Sequence, residues 1–490
     1  MSQNTPATLY WHDYETFGVD PRRDRAVQFA GVRTDYDFNI IEEPLEIYCS
    51  LSADALPHPD ACLITGIGPN KANLEGVPEN KFIAAIESQL ARPGTCGVGY
   101  NSIRFDDEVT RNLLYRNFYD AYEREWRNGN SRWDIIDMLR TVYALRPDTI
   151  KWPRDEQGVV SFRLELLTAE NGLHHAAAHD ALSDVHATIA LAQLIKSKQP
   201  ELFEFAFNSR IKSNVLPRLR CKPSKPVLHI SSKYRADKNC LALVMPLMMH
   251  PTNKNGVIVY DLNEDPEPLI KLSETDIHRR IFSASDQLAD NEPRIALKTI
   301  HINRSPIVLP LSILKADDEK RLGLNIQRCK QHFQQLSNAV GIDDKLTQVF
   351  SENNLTPAFD PDLMIYSGGF FQNSDKQLFK KIRNSTPEQL ASTRYIFQDV
   401  RLLEMLFRYR ARNFPESLSN DEQTLWKDHC KKRLLSQKEE GFLDLEAYYA
   451  RCEELKKALP NDEKGEEKKA LLTELYKYAK ELEKKFGSDI

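Results

Sequence analysis

An α/β domain with a mixed sheet, then a small barrel-like β domain, then a helical region is the architecture this 490-residue sequence predicts. Three observations carry the expectation. Residues 8–50 alternate in the manner of strands, and strands then alternate with helices to about residue 196. Residues 227–315 hold five short β-like runs separated by Pro, Asn and Gly turns. From about residue 320 the apolar spacing is helical.

In chain order, the first strand starts near residue 8 and stops at the turn marked by Gly18; Val27–Arg33 and Leu45–Cys49 are two more. Pro57 and Pro59 break the chain, and Thr65, Gly66 and Ile67 lie in a loop. A helix is expected over Glu79–Leu90, a buried strand over Gly94–Asn101 and a helix opening at Phe105. Another helix covers Arg132–Leu145, and Ser161 caps one that runs through Ala169 and ends at Gly172. The last helix of the domain begins near Asp180 and runs to Ile195, with Val185, Ile189 and Ala192 on one face. Lys222–Pro226 resembles a linker, followed by β runs at Val227–Ile230, Leu241–Met245, Val257–Tyr260, Ile295–Ile300 and Ile307–Leu309. Breaks at Thr356-Pro357 and Asp360-Pro361 precede the helical region, whose last helix carries a core stripe of Leu475, Ala479, Leu482 and Phe486. The resulting domains are 8–196, 200–350 and 355–488.

Composition excludes several classes. With 28% charged and 9% aromatic residues the chain is ordinary globular material. No basic N-terminal region precedes an apolar run and no window holds 18 uninterrupted apolar residues, so a cytoplasmic protein without a membrane span is expected. The eight cysteines form no C-x-x-C pair and are expected as reduced thiols. The net charge of −5 does not exclude a nucleic-acid partner, because residues 201–260 carry ten Lys/Arg against three Asp/Glu.

The chemistry begins with Asp13 and Glu15. Strand alternation puts both on one side, about 7 Å apart along the chain. Two poorly solvated carboxylates at the end of a core strand call for a divalent cation, magnesium being the commonest. The D-x-E pattern alone is equally compatible with turn residues. Asp106 follows the fourth strand at a helix start, where Asp107 and Glu108 compete for the same role and spacing does not choose among them. Further on, Asp180 is the natural cap of its helix, His179 sits just outside it and Asp184 lies one turn in. Acids and a histidine at element ends suit phosphodiester hydrolysis, in which two cations about 3.5–4 Å apart bind the attacking and leaving oxygens. A neutral histidine with a pKa near 6.5 accepts the water's proton. No nucleotide-triphosphate loop is present.

Asp13–Gly18 (DYETFG), Thr65–Ile67 (TGI), Tyr100–Glu108 (YNSIRFDDE) and His179–Asp184 (HDALSD) resemble the ordered motifs of the DEDDh exonucleases. Asn130–Asp134, Tyr143–Pro147, Ser161–Glu165 and Tyr409–Pro415 narrow the resemblance to the bacterial exonuclease I family. That resemblance implies an RNase H-like exonuclease domain with a mixed five-stranded sheet, a Src-homology-3-like β domain and an α-helical C-terminal domain. It implies a processive 3′→5′ exonuclease on single-stranded DNA that releases 5′-mononucleotides, with roles in DNA repair and recombination. Asp13, Glu15 and Asp184 would hold the first of two Mg2+ ions (Mn2+ being a substitute), and Asp13 would be shared with the second. Asp106 would complete the acids, and His179 would be the general base. Arg163 would contact substrate, and Glu15, Thr16, Phe17 and Thr65 would border it. Arg146 would meet the C-terminal tail of single-strand DNA-binding protein, and the enzyme would be a monomer. The basic run 210–238 and the Phe407–Arg412 stretch are further DNA-channel candidates. The rival readings are an exoribonuclease of the same branch and a single-strand DNA-binding repair scaffold without cleavage.

Overall fold

The computed structural model describes residues 6–175, 179–289, 292–351, 358–435 and 443–487. The expected break at Thr356-Pro357 and the two ends of the 355–488 domain lie outside them. The N-terminal sheet has five strands, β1 (Thr8–Thr16), β2 (Ala26–Thr34), β3 (Leu45–Tyr48), β4 (Thr95–Gly99) and β5 (Ser131–Asp134), in the order β3-β2-β1-β4-β5. β1 pairs antiparallel with β2 and parallel with β4, so the sheet is mixed and β1 lies at its centre. Central position accounts for the sequence of β1: Leu9, Tyr10 and Trp11 are at most 1% exposed.

The helices are α1 (Pro59–Thr65), α2 (Pro69–Glu75), α3 (Glu79–Leu90), α4 (Asp106–Arg116), α5 (Ile135–Leu145), α6 (Leu164–Glu170) and α7 (Ala181–Lys198). Three expectations need correction. Ser131–Asp134 is a strand rather than the start of the α5 helix; Trp133 is buried and the Asp134 carboxylate caps α5 by accepting from Ile136 N. Pro59 does not break the chain but opens α1, where proline's missing N–H costs nothing, and Thr65 closes that helix before Gly66 at φ 70°. Ser161 accepts a hydrogen bond from Arg163 N but is not the cap of α6, which begins three residues later.

The second sheet is antiparallel, in the order β10-β6-β7-β8-β9, from β6 (Val227–Ile230), β7 (Leu241–Met249), β8 (Gly256–Asp261), β9 (Leu297–His301) and β10 (Ile307–Leu309). Its core holds Val227, Val244, Val257, Val259 and Val308. Alternating β-branched residues made these strands legible. All eight cysteines are free thiols, and among the described residues no helix is long and apolar enough to cross a membrane.

The chain divides into two compact units that do not follow the linear domains. One joins residues 132–174 to residues 189–354; the other joins 6–131 and 175–188 to the C-terminal region from 355. Within the second unit, the aromatic-basic stretch expected to face DNA is internal. Arg408 and Arg410 on the helix Arg401–Asn413 are buried, and the side chain of Arg412 is 2% exposed. Arg408 pairs with Asp360 and Asp362, Arg410 with Glu422, and Arg412 with Asp54 and Asp362. Asp54 is the hub: its fully buried carboxylate accepts from Arg25 at 3.1 Å, Arg412 at 2.8 Å and Arg433 at 2.7 Å. Burial alone would push its pKa up, but the charges of Arg412 and Arg25 hold it well below the usual carboxylate range.

Removing one member of such a network strands the others. Asp54→Asn should therefore cost about 3–5 kcal/mol in denaturant unfolding. Because the folded pKa is depressed, the stabilisation from Asp54 exists above its unfolded pKa and is lost as pH falls. The wild type should lose stability on acidification more steeply than Asp54→Asn, a comparison that urea titrations at several pH values make directly.

Candidate active site

β1 delivers Asp13 and Glu15 to one face, while His12 and Tyr14 point to the other. On that other face the Tyr14 hydroxyl bonds Thr110 at 2.9 Å and its ring packs edge-on to Phe29. Asp106 occupies the first position of α4, with no side-chain capping bond from Phe105 before it; its Oδ1 accepts from Tyr14 N at 3.2 Å. The ambiguity among residues 106–108 is resolved by their partners. Asp107 forms a buried ion pair with Arg124 at 2.6 Å, and Glu108 pairs with Arg111 at 2.6 Å. Asp106 is the acid whose charge bears most on Asp13.

The remaining groups come from the start of α7. Gln28 stands opposite Glu15 in the β1–β2 register and is fully buried. Its Nε2 donates to Asp180 Oδ1 at 3.0 Å and its Oε1 accepts from Ala181 N at 3.3 Å, which pins the helix to the sheet. Asp180 also accepts from Ser183 N at 3.1 Å, the expected cap. His179 sits just before the helix with φ 66°, an uncommon backbone for a residue with a side chain. Glu15, His179 and Asp184 offer ligand atoms within 4.8 Å of one another.

The electrostatics are those of crowded acids. Burial pushes Asp13 well above the usual carboxylate range, and the charges of Asp106, Glu15 and Asp184 add to it. Burial raises Glu15 to about 8, with Asp184 and Asp180 contributing. Asp184 is raised by burial, and a hydrogen bond from His175 opposes the shift. A set of carboxylates that resists ionisation without a counter-charge suits a hard divalent cation, and oxygen donors favour magnesium or manganese.

The other expected residues fall elsewhere. Phe17 is 1% exposed in a core with Cys62, Ile67, Leu472 and Leu475, so its ring is unavailable to stack on a base. Thr16 is buried and its hydroxyl donates to Gly18 O at 2.6 Å. Thr65 is half-buried, with its hydroxyl accepting from Ile67 N. In the other compact unit, Arg163 is 68% exposed and pairs with Glu165. Arg146 ends α5, donates to Leu145 O and lies close enough to Asp318 to lower its pKa. Sequence reasoning missed Gln28 and His175. His175 Nε2 lies 2.6 Å from Asp184 Oδ1.

Residues 10–192 match the family described as Exonuclease, which makes the N-terminal domain that of a hydrolytic exonuclease. Residues 210–352 match the Exonuclease I SH3-like domain and residues 359–482 the Exonuclease I C-terminal domain. The chain belongs to the exodeoxyribonuclease I family: it is 41% identical to exodeoxyribonuclease I of Escherichia coli K12 over 97% of this chain and 98% of that protein. The Haemophilus influenzae Rd enzyme is 39% identical over 97% of this chain and 98% of its own length. Among solved structures, a moderately thermophilic exonuclease I from Methylocaldum szegediense superposes with TM-score 0.92 at 48% identity, over 97% of this chain and 99% of that one. E. coli exonuclease I in complex with a dA16 oligonucleotide superposes with TM-score 0.91 at 40% identity, over 97% and 100%. A zinc-bound form of the E. coli enzyme with single-stranded DNA gives TM-score 0.91 at 40% identity, over 97% of this chain and 99% of that one.

The raised pKa of Glu15 has a measurable consequence. A cation held by Glu15 would have to displace the proton that burial keeps on it up to about pH 8, so Mn2+ affinity should rise between about pH 6 and pH 8 with proton release. For the metal-free protein the sign is opposite. With a folded pKa above the unfolded 4.5, the stability contribution of Glu15 is full below 4.5 and lost as pH rises through about 8. Calorimetry of Mn2+ binding in buffers of different ionisation heat checks the first; Glu15→Gln should remove most of the proton release.

Proposed function

We propose that this protein is a processive 3′→5′ exonuclease acting on single-stranded DNA, releasing 5′-mononucleotides with two Mg2+ ions, for which Mn2+ can substitute. The observation that carries the reading is the convergence of Glu15, Asp184 and His179 beside Asp13 and Asp106, in a chain of this family. Asp13, Glu15 and Asp184 would hold the first ion, Asp13 would serve both, and Asp106 would complete the acids. When bound, the ions lower the pKa of the attacking water and stabilise the leaving oxygen.

The chain's own groups do the rest. His179, held before α7 on its left-handed backbone, takes the proton from water through an imidazole nitrogen and passes it to solvent. The acids repel a phosphodiester unless cations are present, so cleavage requires metal and substrate together. Arg163 is a substrate-phosphate contact in this reading; its surface pair with Glu165, worth about 0–1 kcal/mol, is readily exchanged for a phosphate. Glu15 and the backbone around Thr16 and Thr65 border the terminal nucleotide. Arg146 is the proposed contact for the tail of single-strand DNA-binding protein. The protein acts as a monomer in the cytoplasm, with domains at 8–196, 200–350 and 355–488.

Asp13→Asn and Asp184→Asn should each lower cleavage by about 10³-fold or more, at least about 4 kcal/mol of transition-state stabilisation. His179→Ala should lower it by about 10²–10⁴-fold. Gel assays on 3′-labelled and 3′-blocked single strands, with and without chelator, read these values. The 3′ block and the chelator should each stop digestion. Matched DNA and RNA oligomers test the sugar preference: faster loss of RNA would move the assignment to the exoribonuclease reading. Full cleavage by Asp13→Asn would mean that the site lies elsewhere.

A further inference from the structure

Asp184 is gripped by a group that the reaction as proposed does not use. His175 precedes α7 and its side chain is 8% exposed. Its Nε2 lies 2.6 Å from Asp184 Oδ1; a carboxylate ionised to bind a cation only accepts, and in that state the imidazole N–H is the donor. The backbone of His179 contributes a second hydrogen bond to the same carboxylate. Asp184 is therefore oriented by donors from both ends of the segment leading into its helix. The need for them is local. Asp184 lies in a cluster whose ligand atoms fall within 4.8 Å, facing the Glu15 carboxylate with which it repels. Left without donors, the Asp184 side chain would relieve that repulsion by turning away.

We infer that His175 is a positioning residue that holds Asp184 Oδ1 so that the carboxylate is presented to a divalent cation rather than rotated out of the cluster; this rests on the proposed metal site. It touches neither substrate nor reacting atoms. Groups hydrogen-bonded behind metal-ligating side chains fix ligand orientation, and their loss typically costs about 10–100-fold in metal affinity. His175 and His179 thereby divide two tasks: one orients an acid, the other moves a proton.

The test measures Mn2+ binding to the full-length protein in the absence of DNA, by electron paramagnetic resonance of free Mn2+ or by calorimetry, beside the metal dependence of cleavage. His175→Ala should weaken Mn2+ binding by about 10–100-fold and raise the metal concentration needed for half-maximal cleavage by a similar factor. The rate at saturating metal should stay near wild type. His175→Gln, which keeps an N–H donor, should recover most of the affinity, and this separates positioning from general damage to the fold. Unchanged Mn2+ affinity in His175→Ala overturns the inference. So does a rate that saturating metal does not restore, which would make His175 part of the chemical step, and so does a Gln variant no better than Ala. Asp184→Asn is the control for the underlying site: if it binds Mn2+ as wild type does, the metal-site reading fails independently of His175.

Discussion

Like charges brought together at the end of a central strand are the constraint around which this structure is arranged. Two unit charges about 5 Å apart at an effective dielectric of 20 repel by roughly 3 kcal/mol, and this site gathers four acids. Burial and neighbouring carboxylates push both Asp13 and Glu15 upward. The fold tolerates this because the backbone leaves each acid little freedom. The β1–β2 register sets Glu15 against Gln28, and Gln28 fixes where α7 begins. The N-terminus of α4 supplies Asp106 with a favourable dipole. A divalent cation answers the repulsion at a stroke, which is why the arrangement reads as a binding site and not as strain.

The acids outside the site show the alternative. Asp54, Asp107 and Asp362 are as buried as the site acids, yet each has arginine at ion-pair distance. Asp54 and Asp362 are consequently held below the ordinary carboxylate range, in contrast to Asp13 and Glu15. Within one compact unit, then, these buried carboxylates titrate in opposite directions according to their partners, while Asp375, also fully buried, is satisfied by the backbone N–H groups of Gln398 and Asp399. Arginine partners stabilise the charged form of an acid; carboxylate neighbours oppose it, the condition that a cation relieves.

That distinction explains what could and could not be read from the sequence. Asp13, Glu15 and Asp184 were legible because each sits at a strand or helix end with a local signature. Asp106 needed the family motif, since the arginine that claims Asp107 lies outside the helix, at Arg124, and only the local pair of Glu108 with Arg111 is within sight of the sequence. The strands of the second sheet carried a clear β pattern, whereas β5 did not: Ser131–Asp134 runs directly into α5, and a four-residue strand has too few positions to show a period. The alternating Arg408, Arg410 and Arg412 resembled a DNA-binding face because sequence records charge and not partners. Their acids at Asp360, Asp362 and Asp54 are up to 358 residues away. His175 was silent for the same reason: its meaning lies wholly in the carboxylate it touches.

Phe17 links these observations. It lies two residues beyond Glu15, and its ring belongs to a core completed by Trp426, Tyr448, Leu472, Leu475 and Phe486 from the C-terminal helices. Gly18 follows, so close to the Asp24 carboxylate that a Cβ there would clash. The end of β1 is thus clamped on one side by a tight loop and on another by residues more than 400 positions downstream. A strand end free to fray would let Asp13 and Glu15 separate, since nothing between them attracts. The C-terminal helices therefore do more than extend the chain past the nuclease domain. They supply the apolar burial, about 25 cal/mol per Å² of covered surface, that opposes the electrostatic cost at the site. The charge cluster and the distant helical core are two halves of one balance, and β1 is where they meet.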